Sequence, residues 1–454
     1  MNGATTSVEL RAHNRVRLLR AVHDCGAART RSQLTRDLRL ARGTASVLVA
    51  GLVEDELLHE EPAPEHGRGR PTQVPGPHPR GPLALAVDVR EDAWELAACE
   101  LGGRVTVLAT RPHDGTPEGA LGPLGEAIAA ERERLGDRVV GIGVALAGPV
   151  RHGGLVDIAH LGWRSADVPR LLRLHGRAGG PTGEHGRDGG PTGEHGRDGG
   201  PTGEHGLTGD RESGVHVAGG GVPLVVGNDT AFAALAEARR GRLQGVRVGL
   251  HLHVDFDLGG VLVVDGRPLG GASGTGAEFG HMPLTGGDRP CKCGAIGCWG
   301  LDVGANALLR HVGLAYGGGR GREQAEHVLA TSREAVARNA RALGRGIAAL
   351  VNAHDPEAVT LSGHGVELYE RAGDVLMAAC EPGLMAIRRD HPPRVEGSAL
   401  GWRGSLLGAM ESVFDAFLTP EGLDRWRANH PGQGHDTPDR QNVMNSTLSG
   451  QKPT

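Results

Sequence analysis

Lysine is nearly missing from this chain. Only Lys292 and Lys452 occur, so 47 of the 49 basic residues are arginine. With 76 glycines, this points to a coding bias toward G and C, and it removes arginine abundance as an argument for phosphate binding. No apolar run is long enough to cross a bilayer, so no membrane association is expected. The opening stretch "MNGATTSVELRAHNRVRLLR" has no apolar core of a secretory signal, and a cytoplasmic location follows as the expectation. Cysteine is scarce, six in 454 residues, which fits a reducing compartment where clustered thiols bind metal more often than they form disulfides. The net charge of −5 advertises no nucleic-acid partner, although one small basic face would suffice.

The hydrophobic fraction of 38% supports two or three domains. Residues 8 to 58 carry helical spacing with short breaks. Leu34 and Leu38 mark one short helix, and Ala45, Leu48, Val49 and Leu52 mark the buried stripe of the next. The break at 39–41 suits a helix-turn-helix, though an ordinary three-helix bundle fits the same pattern. "EHGRGRPTQV" follows, a Gly-rich basic tip between two extended pieces, where Arg68 and Arg70 would meet phosphates or enter the minor groove. A solvated linker is the plainer alternative. With its stripe buried, the second helix would present Arg42, Thr44 and Ser46 to base edges, starting from Ala41, a weak N-cap.

Residues 82 to 110 alternate as two or three strands turning at Gly102-Gly103, a helix and a buried strand follow, and strands alternating with helices indicate an α/β fold. The pattern then stops. "GGPTGEHGRD" occurs from 179 and from 189, and a partial copy starts at 199. Nothing in the repeat can be buried, so a disordered insertion is expected at about 176–213. Order resumes with "GVPLVVGNDTAFAALAEARRG", a strand, a turn and a helix, and a disordered tail is expected over 426–454.

Half of the cysteines stand in "HMPLTGGDRPCKCGAIGCWG". His281, Cys291, Cys293 and Cys298 make a Cys3His set that fills a zinc tetrahedron and leaves no open position, so zinc would be structural. The alternative is three free thiols on a loop. "EFGHMP" followed by "CKCGAIGC" resembles the signature of the ROK family, named for repressor, open reading frame and kinase. The likeness extends from about 82 to 420 through "AVDV", "ALAGPV", "VGNDTAFAALAE", "LVNAHDPEAVTLSG" and "GSLLGAMESVFDAF". It implies a winged helix-turn-helix at 1–78, then a two-lobed actin/hexokinase-like (ribonuclease H-like) domain at 79–425. It also implies zinc on those four residues, and sugar contacts from Asn228, Asp229, Glu278 and His281, with Asp229 aligned to the kinases' catalytic base. From the residues alone, Asn228-Asp229 is equally well a helix N-cap.

Family kinases resemble each other in two glycine-rich phosphate loops, because bare backbone N–H groups must approach the phosphates. Here the first reads "DVREDA" and the second "DFDLGG", with acids where glycines are expected. Two sugar-side positions also depart from the family, Gly300 where Glu is usual and His160 where Asn is common. The expectation is therefore a DNA-binding regulator, a repressor, that senses a sugar or sugar-phosphate effector as a homodimer or homotetramer on a double-stranded operator. A sugar kinase is the rival, and a regulator that has lost its ligand is a third possibility.

Overall fold

The computed structural model describes residues 7–63, 73–151, 153–174, 215–217, 222–276, 278–284, 286–314 and 320–430. Arg68, Arg70, the repeat insertion and the chain after 430 lie outside them.

Three helices open the chain: α1 (Ser7–Asp24), α2 (Arg31–Asp37) and α3 (Arg42–Glu54). Thr30 and Gln33 form a capping box at the start of α2, and Arg39 takes a left-handed φ of 53° in the turn before α3. Ala41 begins α3 without a side-chain cap, as its chemistry requires. The expected stripe of Ala45, Leu48, Val49 and Leu52 is buried, and Arg42, Thr44, Ser46 and Val47 stand exposed on the opposite face. β1 (Leu58–Pro62) and β2 (Gln73–Pro77) then pair antiparallel, which is the hairpin expected of a wing.

The first lobe follows. β3 (Leu83–Val89), β4 (Ala93–Glu100) and β5 (Val105–Pro112) form a meander, with Gly102 and Gly103 at positive φ in the second turn. α4 (Pro117–Leu135) leads to β6 (Val139–Leu146), parallel to β3. A small sheet of β7 (Val150–Arg151), β8 (Leu155–Ile158) and β9 (Trp163–Asp167) precedes α5 (Val168–Leu172). β10 (Val215–Val217) and β11 (Leu224–Asn228) complete a six-stranded sheet of order β10-β11-β6-β3-β4-β5. Every residue of β3 is buried, as befits a central strand of near-continuous apolar sequence.

α6 (Asp229–Arg240) crosses to the second lobe, where β12 (Val248–Val254), β13 (Leu258–Val264) and β14 (Arg267–Pro268) repeat the meander. After α7 (Ala305–His311), α8 (Arg322–Thr331) and α9 (Arg333–His354), β15 (Ala358–Gly363) adds parallel to β12. α10 (His364–Cys380) and α11 (Ala386–Asp390) lead to β16 (Arg394–Gly397), so this sheet runs β14-β13-β12-β15-β16. The two lobes thus share one plan, a meander extended by parallel strands.

α12 (Gly404–Phe417) returns against β6 and α6 of the first lobe, and α13 (Pro420–Asn429) follows. α13 corrects the expectation of a tail starting at 426. Trp426 is buried and donates its Nε1–H to the Asp55 carbonyl at 2.8 Å, so the helix packs on the N-terminal module. One apolar core joins Leu18, Leu19, Val22 and Leu52 of that module to Met410, Phe414 and Trp426.

Candidate functional site

The lobes enclose a cavity of about 690 Å³. Glu91 enters it from the turn between β3 and β4, His160 from between β8 and β9, and Asp229 from the first turn of α6. Asp255 and Asp257 follow β12, and Glu278, His281 and the cysteine loop close the far wall.

Of the four expected sugar contacts, Asp229, Glu278 and His281 line this cavity together. Asn228 does not. Its Oδ1 caps α6 by accepting from Ala231 N at 2.9 Å, and its Nδ2 donates to the Gly148 carbonyl at 3.1 Å, so both ends of the amide are occupied. The sequence places His160 at a sugar-side position and Glu91 in the first of the two acid-bearing loops. They prove to be lining residues, with Glu91 Oε1 3.3 Å from His160 Nε2. The signal was present, since each departure placed an ionisable group where the family has a neutral one.

Acids and bases both line the cavity, and burial pushes several of its acids up. Burial raises the pKa of Asp229 well above the ordinary carboxylate range, and Glu91 and Asp88 raise it further. Burial also raises Asp88 to about 7, Glu91 above its usual value, and Glu278 to about 7. Burial alone would lower the His160 pKa, but Glu91 and Asp257 outweigh it and hold it above the usual value. Gly300 lies at the wall, so the side chain usual there is missing from the polar lining.

Behind these groups the segments "DVREDA" and "DFDLGG" meet. Arg322 of α8 donates to Asp92 at 2.8 Å and to Asp255 at 2.9 and 3.1 Å, and its guanidinium lies 4.9 Å from the Phe256 ring centroid and 5.5 Å from that of Trp402. Burial would raise the pKa of Asp255, but Arg322 reverses this and holds it low. Asp92 belongs to the first lobe and Asp255 to the second, so Arg322 clasps one lobe to the other.

The cysteine loop converges as its spacing implied. The ligand atoms of His281, Cys291, Cys293 and Cys298 all lie within 4.8 Å of one another. Cys293 Sγ is 3.7 Å from Cys298 Sγ, and Cys291 Sγ is 3.7 Å from His281 Nδ1. Zn–S bonds of about 2.3 Å place tetrahedral sulfurs roughly 3.8 Å apart, so the donor set fits zinc. Gly294 and Gly297 adopt positive φ, which lets the chain fold back between its ligands. The other ring nitrogen, His281 Nε2, faces Glu278 Oε2 at 3.7 Å, on the cavity side. Lys292, between two of the cysteines, reaches across to the His160 carbonyl at 3.2 Å.

Residues 218–415 match the family model described as "ROK family". The chain carries a ROK family domain. It is 24% identical over 233 residues to a glucokinase of Streptomyces coelicolor, covering 50% of this chain and 59% of that protein. It is 28% identical over 219 residues to a xylose repressor of Caldicellulosiruptor bescii, covering 44% and 54%. The chain thus spans little more than half the length of these curated relatives. Among solved structures, a ROK family transcriptional regulator described as a homologue of the E. coli MLC protein superimposes with a TM-score of 0.63 at 20% identity, over 92% of this chain and 99% of that one. A ROK family glucokinase from Streptomyces griseus, in complex with glucose and AMPPNP, gives 0.56 at 22%, over 73% and 99%. The fold is the two-lobed actin/hexokinase-like one, and both regulators and kinases are built on it. No described helix is long and apolar enough to cross a membrane.

Proposed function

We propose that the protein is a DNA-binding transcriptional regulator, a repressor, whose ROK domain senses a sugar-like effector and holds a structural zinc. The observation that supports this best is the N-terminal module, three helices and a hairpin with the polar face of α3 fully exposed. Arg42, Thr44 and Ser46 stand on that face near its N-terminus, where a recognition helix meets base edges. Arg68 and Arg70, between the strands of the wing, would add phosphate contacts. The kinase alternative is disfavoured by chemistry. Phosphoryl transfer depends on positioning a nucleotide and neutralising its charge. Here Glu91 and Asp92 replace the first glycine loop, and Arg322 is committed to Asp92 and Asp255.

α6 offers a route from cavity to DNA. Asp229 begins it in the cavity, and Arg239 and Arg240 end it at the N-terminal module. Arg240 Nη2 lies 2.9 Å from His23 Nε2 and Arg240 Nη1 donates to the Gly102 carbonyl at 3.1 Å. A ligand that displaced the first turn of α6 would therefore displace α1. An effector with differential affinity for two such arrangements shifts the population of a homodimer or homotetramer able to grip two half-sites. His281, fixed by zinc on one ring nitrogen, would present the other to the effector.

The test is a gel-shift series on operator and unrelated duplex DNA. Arg42→Ala should cost on the order of 1–3 kcal/mol of base discrimination. Replacing Arg68 and Arg70 with Ala should weaken all sequences alike and flatten the salt dependence by roughly one unit of slope per lost phosphate contact. Unchanged specificity in the first variant would refute the placement of α3. Turnover of hexoses with Mg-ATP would restore the kinase.

A further inference from the structure

The cavity contains a buried acceptor that the protein does not satisfy. Glu91 is 5% exposed, and its Oε2 has no hydrogen-bond partner. An ionised carboxylate can only accept, so in that form this atom requires a donor. Among the described residues no donor bonds it, although Arg90 Nε, Arg151 Nε and His160 Nε2 are themselves buried without a partner. His160 Nε2 is directed at the other oxygen, Oε1. Arg322 is spent on Asp92 and Asp255, and Arg151 on Asp157. Arg90 acts on Asp88, whose pKa its charge lowers. Asp229 accepts only from the backbone and hydroxyl of Thr230 and, like Glu91, has no Arg or Lys partner among the described residues.

His160 gives Glu91 a counter-charge at Oε1 only, while Asp229 has none, and an ionised group buried without one costs several kcal/mol. We propose that the donor is the ligand: the cavity takes a hydroxylated ring bearing a free ammonium group, an amino sugar, with the ammonium against Glu91 Oε2 and Asp229. An ammonium brings three donors and one positive charge, and a hydroxyl brings one donor and no charge. A bare divalent ion suits the geometry less well. Among the described residues Glu91 and Asp229 do not join any group of three ligand atoms that converge within 4.8 Å, as the cysteine cluster does. The cavity, at about 690 Å³, has room for a ring and its hydroxyls. The remaining wall suits those hydroxyls, since His160, Asp257 and His281 offer both donors and acceptors.

This assignment rests on the effector-sensing reading, and calorimetry on the full-length, zinc-loaded protein separates the two. The probes are D-glucosamine, D-galactosamine and D-mannosamine, each beside its N-acetyl derivative and its parent hexose, at a pH where the amine is charged. At least one free amine should bind about tenfold or more tightly than both of its neutral counterparts, a difference of about 1.4 kcal/mol. Glu91→Gln, checked for folding by its melting temperature, should collapse that preference to about twofold or less, since it keeps the shape and removes the charge. A preference that survives Glu91→Gln, or neutral sugars binding as tightly as amines, overturns the proposal. If a neutral sugar binds and releases operator DNA, sensing stands and only the ammonium assignment falls. If no sugar in the panel binds, both fall.

Discussion

At the junction between the N-terminal module and the ROK domain, Glu411, Asp55 and Asp415 each have a cation, and Asp24, whose Oδ1 is buried without a partner, is the exception. Glu411 is wholly buried and meets Arg240 Nε at 2.5 Å and His23 Nε2 at 3.1 Å. Asp55 is held by Arg15 and Arg427, and Asp415 by Arg20 and Arg239. In the cavity at the other end of α6, Glu91, Asp229 and Glu278 have no Arg or Lys partner among the described residues. The titration behaviour of Glu411 differs from that of the unpaired cavity acids in the same way. Burial would raise Glu411, but His23 and Arg240 pull it down to about 2, whereas Asp229 and Glu278 are pushed up. A structural join completes its electrostatics from within the chain. A binding site leaves them for the ligand to complete, at a cost in stability.

The contrast can be broken by experiment, beginning with the largest effect. The proposed zinc would hold the wall of the unfinished end, so Cys293→Ser should lose the metal and lower the melting temperature more than any single ion-pair variant, because metal binding is coupled to folding. Metal analysis with thiol titration checks this. A wild-type protein without zinc and with all three cluster thiols titratable would remove the metal from the account.

At the finished end, Arg240→Ala leaves Glu411 buried beside only His23, and should cost about 3–5 kcal/mol by denaturant unfolding. The same cluster predicts a pH dependence. Glu411 has a folded-state pKa depressed to about 2, so its contribution is fully present above the unfolded value and is lost as pH falls through that range. The loss should amount to roughly 3 kcal/mol between about pH 4.5 and pH 2, and Glu411→Gln should be flat across that window. A wild-type profile as flat as that of the variant would mean that the junction is not held by this charge.

Local pattern made much of this architecture legible. The stripe Ala45, Leu48, Val49 and Leu52 revealed α3, the four candidate zinc ligands stand within eighteen residues, and Asp229, Glu278 and His281 lie in motifs short enough to recognise. The electrostatic organisation was not legible. His23 and Glu411 are 388 positions apart, and Arg322 and Asp92 are 230 apart. A lone Glu in α12 or a lone Arg at the start of α8 carries no periodicity that announces a partner on another lobe. The last helix was missed for a similar reason. Its polar residues read as tail, while Trp426, which anchors it, finds its pocket on Asp55 and Phe417 far back in the chain or in the preceding helix.

The smallest expected effect is also the sharpest test of the comparison, because its sign is opposite. Asp229→Asn keeps the shape and the Oδ1 that accepts from Thr230 N at 2.6 Å, and removes the charge. At the junction such a change strips a cation of its partner and destabilises. In the cavity it removes a carboxylate that burial, Glu91 and Asp88 already drive toward its neutral form. The ligand-free variant should therefore be more stable than wild type by about 1 kcal/mol near neutral pH, since the buried charge was uncompensated. The pH dependence fixes the sign independently. A group whose folded-state pKa is raised contributes stability at low pH, and that stability is lost as pH rises through the folded value. Wild type should therefore lose ground to Asp229→Asn as pH rises from the acid range, and the two should converge at low pH where Asp229 is protonated in both folded and unfolded chains. Melting temperatures of the two proteins across pH, without ligand, make the measurement. A variant less stable than wild type near neutral pH would show that Asp229 is satisfied as it stands, and the two ends of α6 would then be alike.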